Sequence, residues 1–149
     1  MKTRYLLSLL LCAACSRQEA PAITVDSTPT PVTTDTVPSA NTSDLIRVDH
    51  PAPNTTITTP LTISGQARGT WFFEASFPVI LVDASGDTLA VKPARAQGEW
   101  MTENFVPFTV TLDFAAPASA TGTLILRKDN PSGLPEHDAE IRIPLRFTP

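Results

Sequence analysis

The chain has 149 residues, of which 42% are hydrophobic, so it can hold one domain of ordinary size and an extended segment but not two sizeable cores. Its 11 basic residues are outnumbered by 15 acidic ones, which gives a formal net charge of −4 at pH 7. A basic face that could neutralise a phosphate backbone is therefore not expected, and nucleic acid is excluded as a predicted partner.

The N-terminus has the layout of an export signal. Lys2 and Arg4 precede an apolar run at residues 5–11, which is far shorter than the ~20 apolar residues that span a bilayer. The following segment LCAAC, at residues 11–15, resembles a bacterial lipoprotein processing site, although Cys12 stands where a leucine is usual.

Cys15 is the predicted lipid anchor. Cleavage before it makes residues 1–14 a signal peptide and leaves the Cys15 sulfur to carry diacylglycerol with fatty acyl chains such as palmitate. The mature chain then has one cysteine, already modified, and no disulfide. Ser16 after the cysteine resembles the signal for sorting to an outer membrane in a cell that has two membranes. The alternative is ordinary secretion with Cys15 as a free thiol.

Residues 15–44 form a predicted tether after this cysteine. The composition shifts to Thr, Pro, Ser and Ala without any apolar period, which is typical of a disordered segment. The segment could reach ~30 Å as a flexible coil or ~90 Å when extended, because its prolines favour polyproline II. Either length lifts a following domain clear of lipid headgroups.

Residues 45–149 predict an all-β domain. Short runs with a period of two alternate with turn residues, which is the spacing of an antiparallel sandwich, and no stretch has a helical period. Seven strands are predicted, at residues 45–49 with a possible continuation at 55–58, 61–68, 77–83, 88–94, 105–114, 121–128 and 140–147. Pro144 lacks a backbone donor, so the last strand is expected at a sheet edge.

The stretch ARGTWFFEASFPVILV at residues 67–82 holds much of the aromatic character of the chain. Read as an extended strand, it places Phe73 and Phe77 on the buried face and Phe72 on the exposed face beside Glu74. Phe72 is therefore predicted to be exposed and Phe73 to be core.

Four segments resemble those of a known family when they are taken together and in order. They are ARGTWFFEASFPV, EWMTENFVPF, LILRKDNPSGLPEHD and the ending IRIPLRF, and they resemble the immunoglobulin-like domain family of bacterial spore germination. The resemblance covers residues 45–149. It implies an immunoglobulin-like sandwich on exported or surface-anchored bacterial proteins, and it supplies no catalytic residues.

Three distinctive loops are predicted at one end of the sandwich, because connections alternate between the two ends of an antiparallel sandwich. We name them loop 1 (residues 69–76), loop 2 (residues 95–104) and loop 3 (residues 129–138), and we name this end the loop end. Loops held by a rigid scaffold often bind partners. The candidate partner-binding residues on or beside them are Phe72, Glu74, Trp100, Glu103, Phe105, Asp129, Asn130 and His137.

A structural interpretation of the same loops stays open. The DNPSG segment of loop 3 also fits a turn in which Asp129 or Asn130 caps backbone donors and Gly133 has a positive φ. Trp71 and Trp100 would then close the core.

Catalytic and metal sites are less favoured by the sequence. The acidic loop residues could supply a carboxylate pair for glycoside hydrolysis, but acidic loops usually serve solvation. Asp129, Asn130 and Asp138 lack the spacing of a calcium loop, and His50 and His137 lack the partners of a zinc motif. No nucleophile elbow or glycine-rich phosphate loop is present. No metal and no small-molecule cofactor is therefore predicted.

The predicted function is that of a lipid-anchored, non-enzymatic module of the cell envelope. It recognises a protein or glycan partner through the loop end. The alternative is a structural or accessory envelope domain without a dedicated ligand, and an envelope hydrolase is a distant third.

Overall fold

A computed structural model describes residues 43–148, and this part of the chain is an all-β domain. Its strands are β1 (Ile46–His50), β2 (Thr56–Ile57), β3 (Leu61–Arg68), β4 (Ser76–Asp83), β5 (Thr88–Ala96), β6 (Phe105–Leu112), β7 (Thr121–Arg127) and β8 (Glu140–Phe147). Short 3₁₀ turns occur at Gly69–Trp71 and Pro135–His137. Within the described residues there is no helix that could cross a membrane. The predicted signal peptide, Cys15 and the tether up to residue 42 lie outside the described residues.

The strands form two layers that are joined through β5. Hydrogen-bonded neighbours follow the order β1-β3-β6-β5-β4-β7-β8-β2. Strand β5 pairs with β4 over most of its length, and it pairs with β6 only through Arg95 and Ala96. One layer is therefore β1, β3 and β6, and the other is β4, β7, β8 and β2, with β5 passing between them.

The core lies between these layers. Alternate residues of β3 and β6, such as Ile63 and Val110, are buried against alternate residues of β4, β7 and β8. Phe77 of β4 and Phe108 of β6 meet edge to face across the core, with ring centroids 4.9 Å apart. The described residues bury no charged, hydroxyl or amide side chain and include no cysteine, so a core of apolar and aromatic residues holds this domain together without a disulfide.

The predicted all-β sandwich is confirmed, and the predicted strands at residues 61–68 and 140–147 coincide with β3 and β8. A tight turn joins β4 and β5. The Asp83 carboxylate accepts the backbone N–H groups of Ser85 (2.8 Å) and Asp87 (3.0 Å), and Gly86 has a φ of 89°.

The possible continuation of the first strand proves to be a separate strand. After Pro51 and Pro53 the chain crosses to the other layer as β2, which pairs in parallel with the end of β8. The sheet is therefore mixed. The expectation that the last strand lies at a sheet edge is wrong for the end of β8, because β2 pairs there with Arg146 and Phe147. The Pro144 carbonyl accepts the Asn54 N–H (2.7 Å) on the side away from β7, so the missing proline donor removes no hydrogen bond between β7 and β8.

Candidate functional site

The three predicted loops lie together at one end of the sandwich. The Gly69 N–H of loop 1 donates to the Asn104 carbonyl of loop 2 (3.2 Å), and the Asp129 N–H of loop 3 donates to the Trp71 carbonyl of loop 1 (3.1 Å). Loop 1 is thus held between the other two. The described chain also begins at this end, because the Arg68 N–H at the end of β3 donates to the Leu45 carbonyl (2.7 Å).

Loops 1 and 2 approach each other so closely that only glycine fits at position 69. A Cβ atom there would overlap the carbonyl oxygens of Trp100 and Thr102. The Arg68 side chain adds to this junction, since its Nη1 donates to the Glu103 carbonyl (3.0 Å). Loop 2 is therefore fixed on loop 1 through main-chain atoms, and its exposed side chains are free of this packing role.

Loop 1 contains a hairpin turn instead of continuous strand. After the 3₁₀ turn at Gly69–Trp71, the backbone groups of Phe73 and Ser76 exchange hydrogen bonds of 3.0 and 3.1 Å. The two central residues, Glu74 and Ala75, have φ angles of 49° and 61°. Two successive residues with positive φ define a type I′ turn, which usually contains Asn or Gly at these positions.

This turn reverses the predicted environments of Phe72 and Phe73. Phe72 is 4% exposed, with its ring centroid 5.2 Å from that of Phe77, whereas Phe73 is 41% exposed. The prediction was wrong because the 3₁₀ turn and the hairpin break the period of two before β4 begins at Ser76. Phe72 is a core residue, and Phe73 is the exposed aromatic residue of loop 1.

Loop 2 is anchored by Trp100 and exposes its neighbour. Trp100 is half-buried against the core, as the structural interpretation predicted, while Met101 is 74% exposed. The Glu99 carboxylate accepts the Met101 N–H (3.0 Å) and so shapes the backbone at this point. Glu103 has an exposed side chain, and its carbonyl is the acceptor for Arg68.

Loop 3 closes on itself through Asn130. Its side-chain amide donates to the Leu134 carbonyl (2.9 Å) and to the Asp138 carboxylate (2.8 Å). Gly133 has a φ of 66°, as predicted, but the hydroxyl that caps the Leu134 N–H (3.2 Å) belongs to Ser132 rather than to Asp129 or Asn130. The Asn130 side chain therefore stabilises the conformation of loop 3 through hydrogen bonds inside the loop.

The remaining candidates on loop 3 also contribute main-chain atoms. Asp129 donates its N–H to Trp71, and the His137 carbonyl accepts the Lys128 Nζ (3.1 Å). His137 is an exposed residue, and Leu134 nearby is 48% exposed. The most exposed large apolar group of this loop is therefore a leucine that sequence reasoning did not select.

Phe105, the first residue of β6, lies under two arginines. The guanidinium carbons of Arg47 and Arg68 are 4.2 and 4.3 Å from its ring centroid, which is cation–π distance. Phe105 is directly opposite Arg68 in the β3–β6 register. Because the next residue, Val106, is buried, this cluster lies on the outer face of the β1–β3–β6 layer.

The exposed apolar side chains are concentrated at the loop end. Within the described residues, the large ones are Leu45, Phe73, Val91, Met101 and Leu134. All except Val91 lie here, with one on each loop and Leu45 where the described chain begins. We name Phe73, Met101 and Leu134 the loop tips. Sequence reasoning missed them because loop residues obey no period, and alternation had assigned Phe73 to the core.

Acidic side chains surround the loop tips. The segments between β3 and β4, between β5 and β6 and between β7 and β8 contain the acidic residues Glu74, Glu99, Glu103, Asp129, Glu136 and Asp138. The same segments contain the basic residue Lys128, and the adjoining strand ends add Arg68 of β3 and Arg95 of loop 2. The loop end therefore combines exposed apolar groups with an excess of acidic over basic residues.

The loop end also has surface depressions. Its depressions are open, with one of about 370 Å³ between loop 2 and the start of β6 and one of about 440 Å³ beside Glu140. The described residues contain no group of three His, Cys, Asp or Glu side chains placed to hold a metal ion.

One family matches the sequence. Residues 45–134 match the family described as the immunoglobulin-like domain of bacterial spore germination. The matched range contains β1 to β7 and ends within loop 3, and β8 completes the sandwich beyond it. No curated protein and no solved structure matches the chain.

Proposed function

Because the chain belongs to the immunoglobulin-like domain family of bacterial spore germination, we propose that it is a lipid-anchored, non-enzymatic binding module of the cell envelope. Its loop end recognises a protein or glycan partner. Cys15 carries the lipid, so the module is an exported, membrane-anchored lipoprotein, placed in the outer membrane where a cell has two membranes.

The observation that carries the binding proposal is the placement of the loop tips. Phe73, Met101 and Leu134 come from three different loops, yet hydrogen bonds between the loops bring these segments to one end. Leaving large apolar side chains in water forfeits about 25 cal/mol for each Å² that could have been buried. Apolar groups gathered on a rigid scaffold and surrounded by polar residues are typical of an interaction surface.

The turn that displays Phe73 supports the same proposal. Glu74 and Ala75 hold positive φ angles, a conformation that costs non-glycine residues of the order of 1–3 kcal/mol each. Backbone strain of this kind concentrates where a protein positions groups for function. Here the turn directs Phe73 into solvent while Phe72, its neighbour, stays in the core.

The surrounding charge favours a protein partner with a basic rim over a glycan. An acidic surface steers a basic partner and repels an acidic one. Apolar tips need an apolar pocket on the partner to gain free energy from burial, and such pockets are features of proteins. A glycan would contact the Phe73 ring and the adjacent Glu74 carboxylate. Retention of the domain on purified cell-wall glycan would therefore favour a glycan partner over a protein partner.

Site-specific photocrosslinking tests the loop end in cells that export the full chain. A photoreactive phenylalanine analogue is placed at position 73, 101 or 134 and, as a control, at position 91, because Val91 is an exposed apolar residue on β5. We expect a discrete adduct from the three loop positions and none from position 91. Phe73→Ala should reduce the yield at position 134, and Val91→Ala should not. Equal adducts at all positions, or none at the loops, would contradict the proposal.

The anchor has a separate test. The full-length protein is produced in a bacterium, and the mass of its N-terminal peptide is measured. We expect the peptide to begin at Cys15 and to carry acyl chains, and we expect Cys15→Ser to release the protein from membranes. An acyl-free Cys15, or cleavage at another bond, would rule out this mode of anchoring without affecting the binding proposal.

A further inference from the structure

The cluster on the outer face of the β1–β3–β6 layer brings two positive charges together. The guanidinium carbons of Arg47 and Arg68 lie 4.2 and 4.3 Å from the Phe105 ring centroid, so they are at most about 8.5 Å apart. At that separation like charges repel, and the repulsion grows where an aromatic ring displaces water from one side. An anion that both guanidinium groups can reach would relieve this repulsion.

The described part of the chain supplies no such anion. Its ion pairs join Lys92 to Asp113 and join Arg127 and Arg142 to Glu140. Neither Arg47 nor Arg68 has a carboxylate within ion-pair distance among these residues. The β1–β3–β6 layer therefore carries two neighbouring arginines whose positive charges are not paired with a carboxylate of the described residues.

The hydrogen bonds of the pair leave donors available. Arg68 uses its Nε on the Asp44 carbonyl (3.3 Å) and one Nη1 hydrogen on the Glu103 carbonyl (3.0 Å), which fixes the plane of its guanidinium. Arg47 makes no hydrogen bond to a described residue, and its side chain is held by the Phe105 ring. Since each guanidinium has five N–H donors, most of them remain free to meet a ligand.

We propose that Arg47 and Arg68, backed by Phe105, bind a phosphate group. A carboxylate has two oxygens, and a single guanidinium fork occupies both. A phosphate group has further oxygens that a second fork can reach, so two neighbouring arginines match a phosphate better than a carboxylate. The site lies beside Asp44, from which the chain continues toward Cys15. Given the proposed envelope location, the candidate ligands are the phosphate of lipid headgroups and the phosphate of other envelope molecules.

Binding is measured by NMR on the full-length chain carrying Cys15→Ser, which has no acyl chains of its own. The Nε–H signals of the arginines are followed while inorganic phosphate is added at constant ionic strength, with acetate as the carboxylate control. We expect saturable shifts for Arg47 and Arg68 with phosphate and much smaller shifts with acetate. Arg47→Gln should weaken phosphate binding about tenfold, because it removes one charged fork.

The matched control is Arg146→Gln, which removes the same charge from an exposed position on β8 in the other layer. It should leave phosphate binding unchanged, and thermal melts should show that both variants remain folded. Shifts that do not saturate, equal shifts with acetate, or an equal loss in Arg146→Gln would overturn the proposal, since each outcome would reduce the effect to general charge.

Vesicles separate the two sources of phosphate. The same full-length protein is sedimented with phosphatidylcholine vesicles that contain or lack phosphatidylglycerol. Binding to the phosphatidylglycerol vesicles that depends on Arg47 assigns the site to lipid headgroups. Phosphate binding without vesicle binding assigns it to soluble or polymer-borne phosphate. The absence of both overturns the proposal, and the loop-tip crosslinks are unaffected by any of these results.

Discussion

Two adjacent phenylalanines experience opposite environments, and the difference is measurable. Phe72 is 4% exposed and packs edge to face on Phe77, whereas Phe73 is 41% exposed. Phe72→Ala should cost ~3–5 kcal/mol of the free energy of unfolding, a large part of the ~5–15 kcal/mol that holds a domain together. Phe73→Ala should cost less than ~1 kcal/mol, as exposed positions do. Urea unfolding of both variants checks this, and losses of similar size would mean that the turn does not separate the two rings.

The turn itself makes a second residue-scale prediction. Ala75 has a φ of 61°, where an L-residue pays ~1–2 kcal/mol that glycine does not pay. Glycine costs ~0.5–1 kcal/mol in backbone entropy, so Ala75→Gly should raise the free energy of unfolding by a net ~0.5–1 kcal/mol. Ala84→Gly is the control, because Ala84 is an exposed turn residue without a positive φ. Ala84→Gly should lower the free energy of unfolding. A change of the same sign in the free energy of unfolding of both variants would count against the I′ turn.

At the scale of elements, the junction of loops 1 and 2 depends on Gly69. A Cβ at this position would overlap the carbonyl oxygens of Trp100 and Thr102, so Gly69→Ala forces the two loops apart. Overpacking of this kind costs ~1–3 kcal/mol, which leaves the sandwich folded. We expect NMR shift changes confined to loops 1 and 2 and a fall in the Met101 crosslink. Changes that extend through β7 and β8 instead would show that Gly69 serves the core rather than the loops.

The elements differ in how far the sequence predicts them. Strands such as β3 and β8 follow from local alternation bounded by turn residues, and both the layers and the placement of the loops follow from their order. The parallel pairing of β2 with β8 could not be predicted, because it joins residues about ninety positions apart through two main-chain contacts. The I′ turn was not predicted because Glu74-Ala75 lacks the Asn-Gly signal that is typical of such turns. The Arg47–Arg68–Phe105 cluster depends on the register of three strands, which alternation within one strand leaves open.

At the scale of the whole molecule, the sandwich should fold without the preceding residues. The Ser43 N–H donates to the Ile46 carbonyl (2.8 Å) and the Ser43 hydroxyl accepts the Ile46 N–H (3.1 Å), which covers the outer edge of β1. A chain of residues 43–149 should give a β-type circular dichroism spectrum and a single cooperative transition under reducing conditions. A chain of residues 45–149, which lacks this cover, should be less stable by ~1 kcal/mol. Dependence of folding on residues 16–42 would contradict an autonomous domain.

The position of Ser43 also indicates at which end of the domain the predicted tether is attached. Because the described chain begins beside loops 1 and 2, the predicted tether connects to the domain at its proposed binding end. Under the proposed anchoring at Cys15, the length of the predicted tether would set how much space the loop tips have above the membrane. As a flexible coil, the segment from Cys15 to Asp44 spans ~30 Å, and deletion of residues 20–39 reduces this span to ~17 Å. The shortened tether would leave too little room for a protein partner between the loops and the headgroups.

Deletion of residues 20–39 in the full-length lipoprotein should therefore reduce the photocrosslink from position 73 in cells. A lipoprotein in which the same residues are shuffled should crosslink normally, because a coil of equal length and composition has the same reach. The deletion should have no effect in the Cys15→Ser background, since a domain released from the membrane has no steric limit on its loop end. An undiminished crosslink from the shortened lipoprotein would mean that the partner approaches from another side of the domain or that the anchor is not at Cys15. The mass of the N-terminal peptide distinguishes these two outcomes.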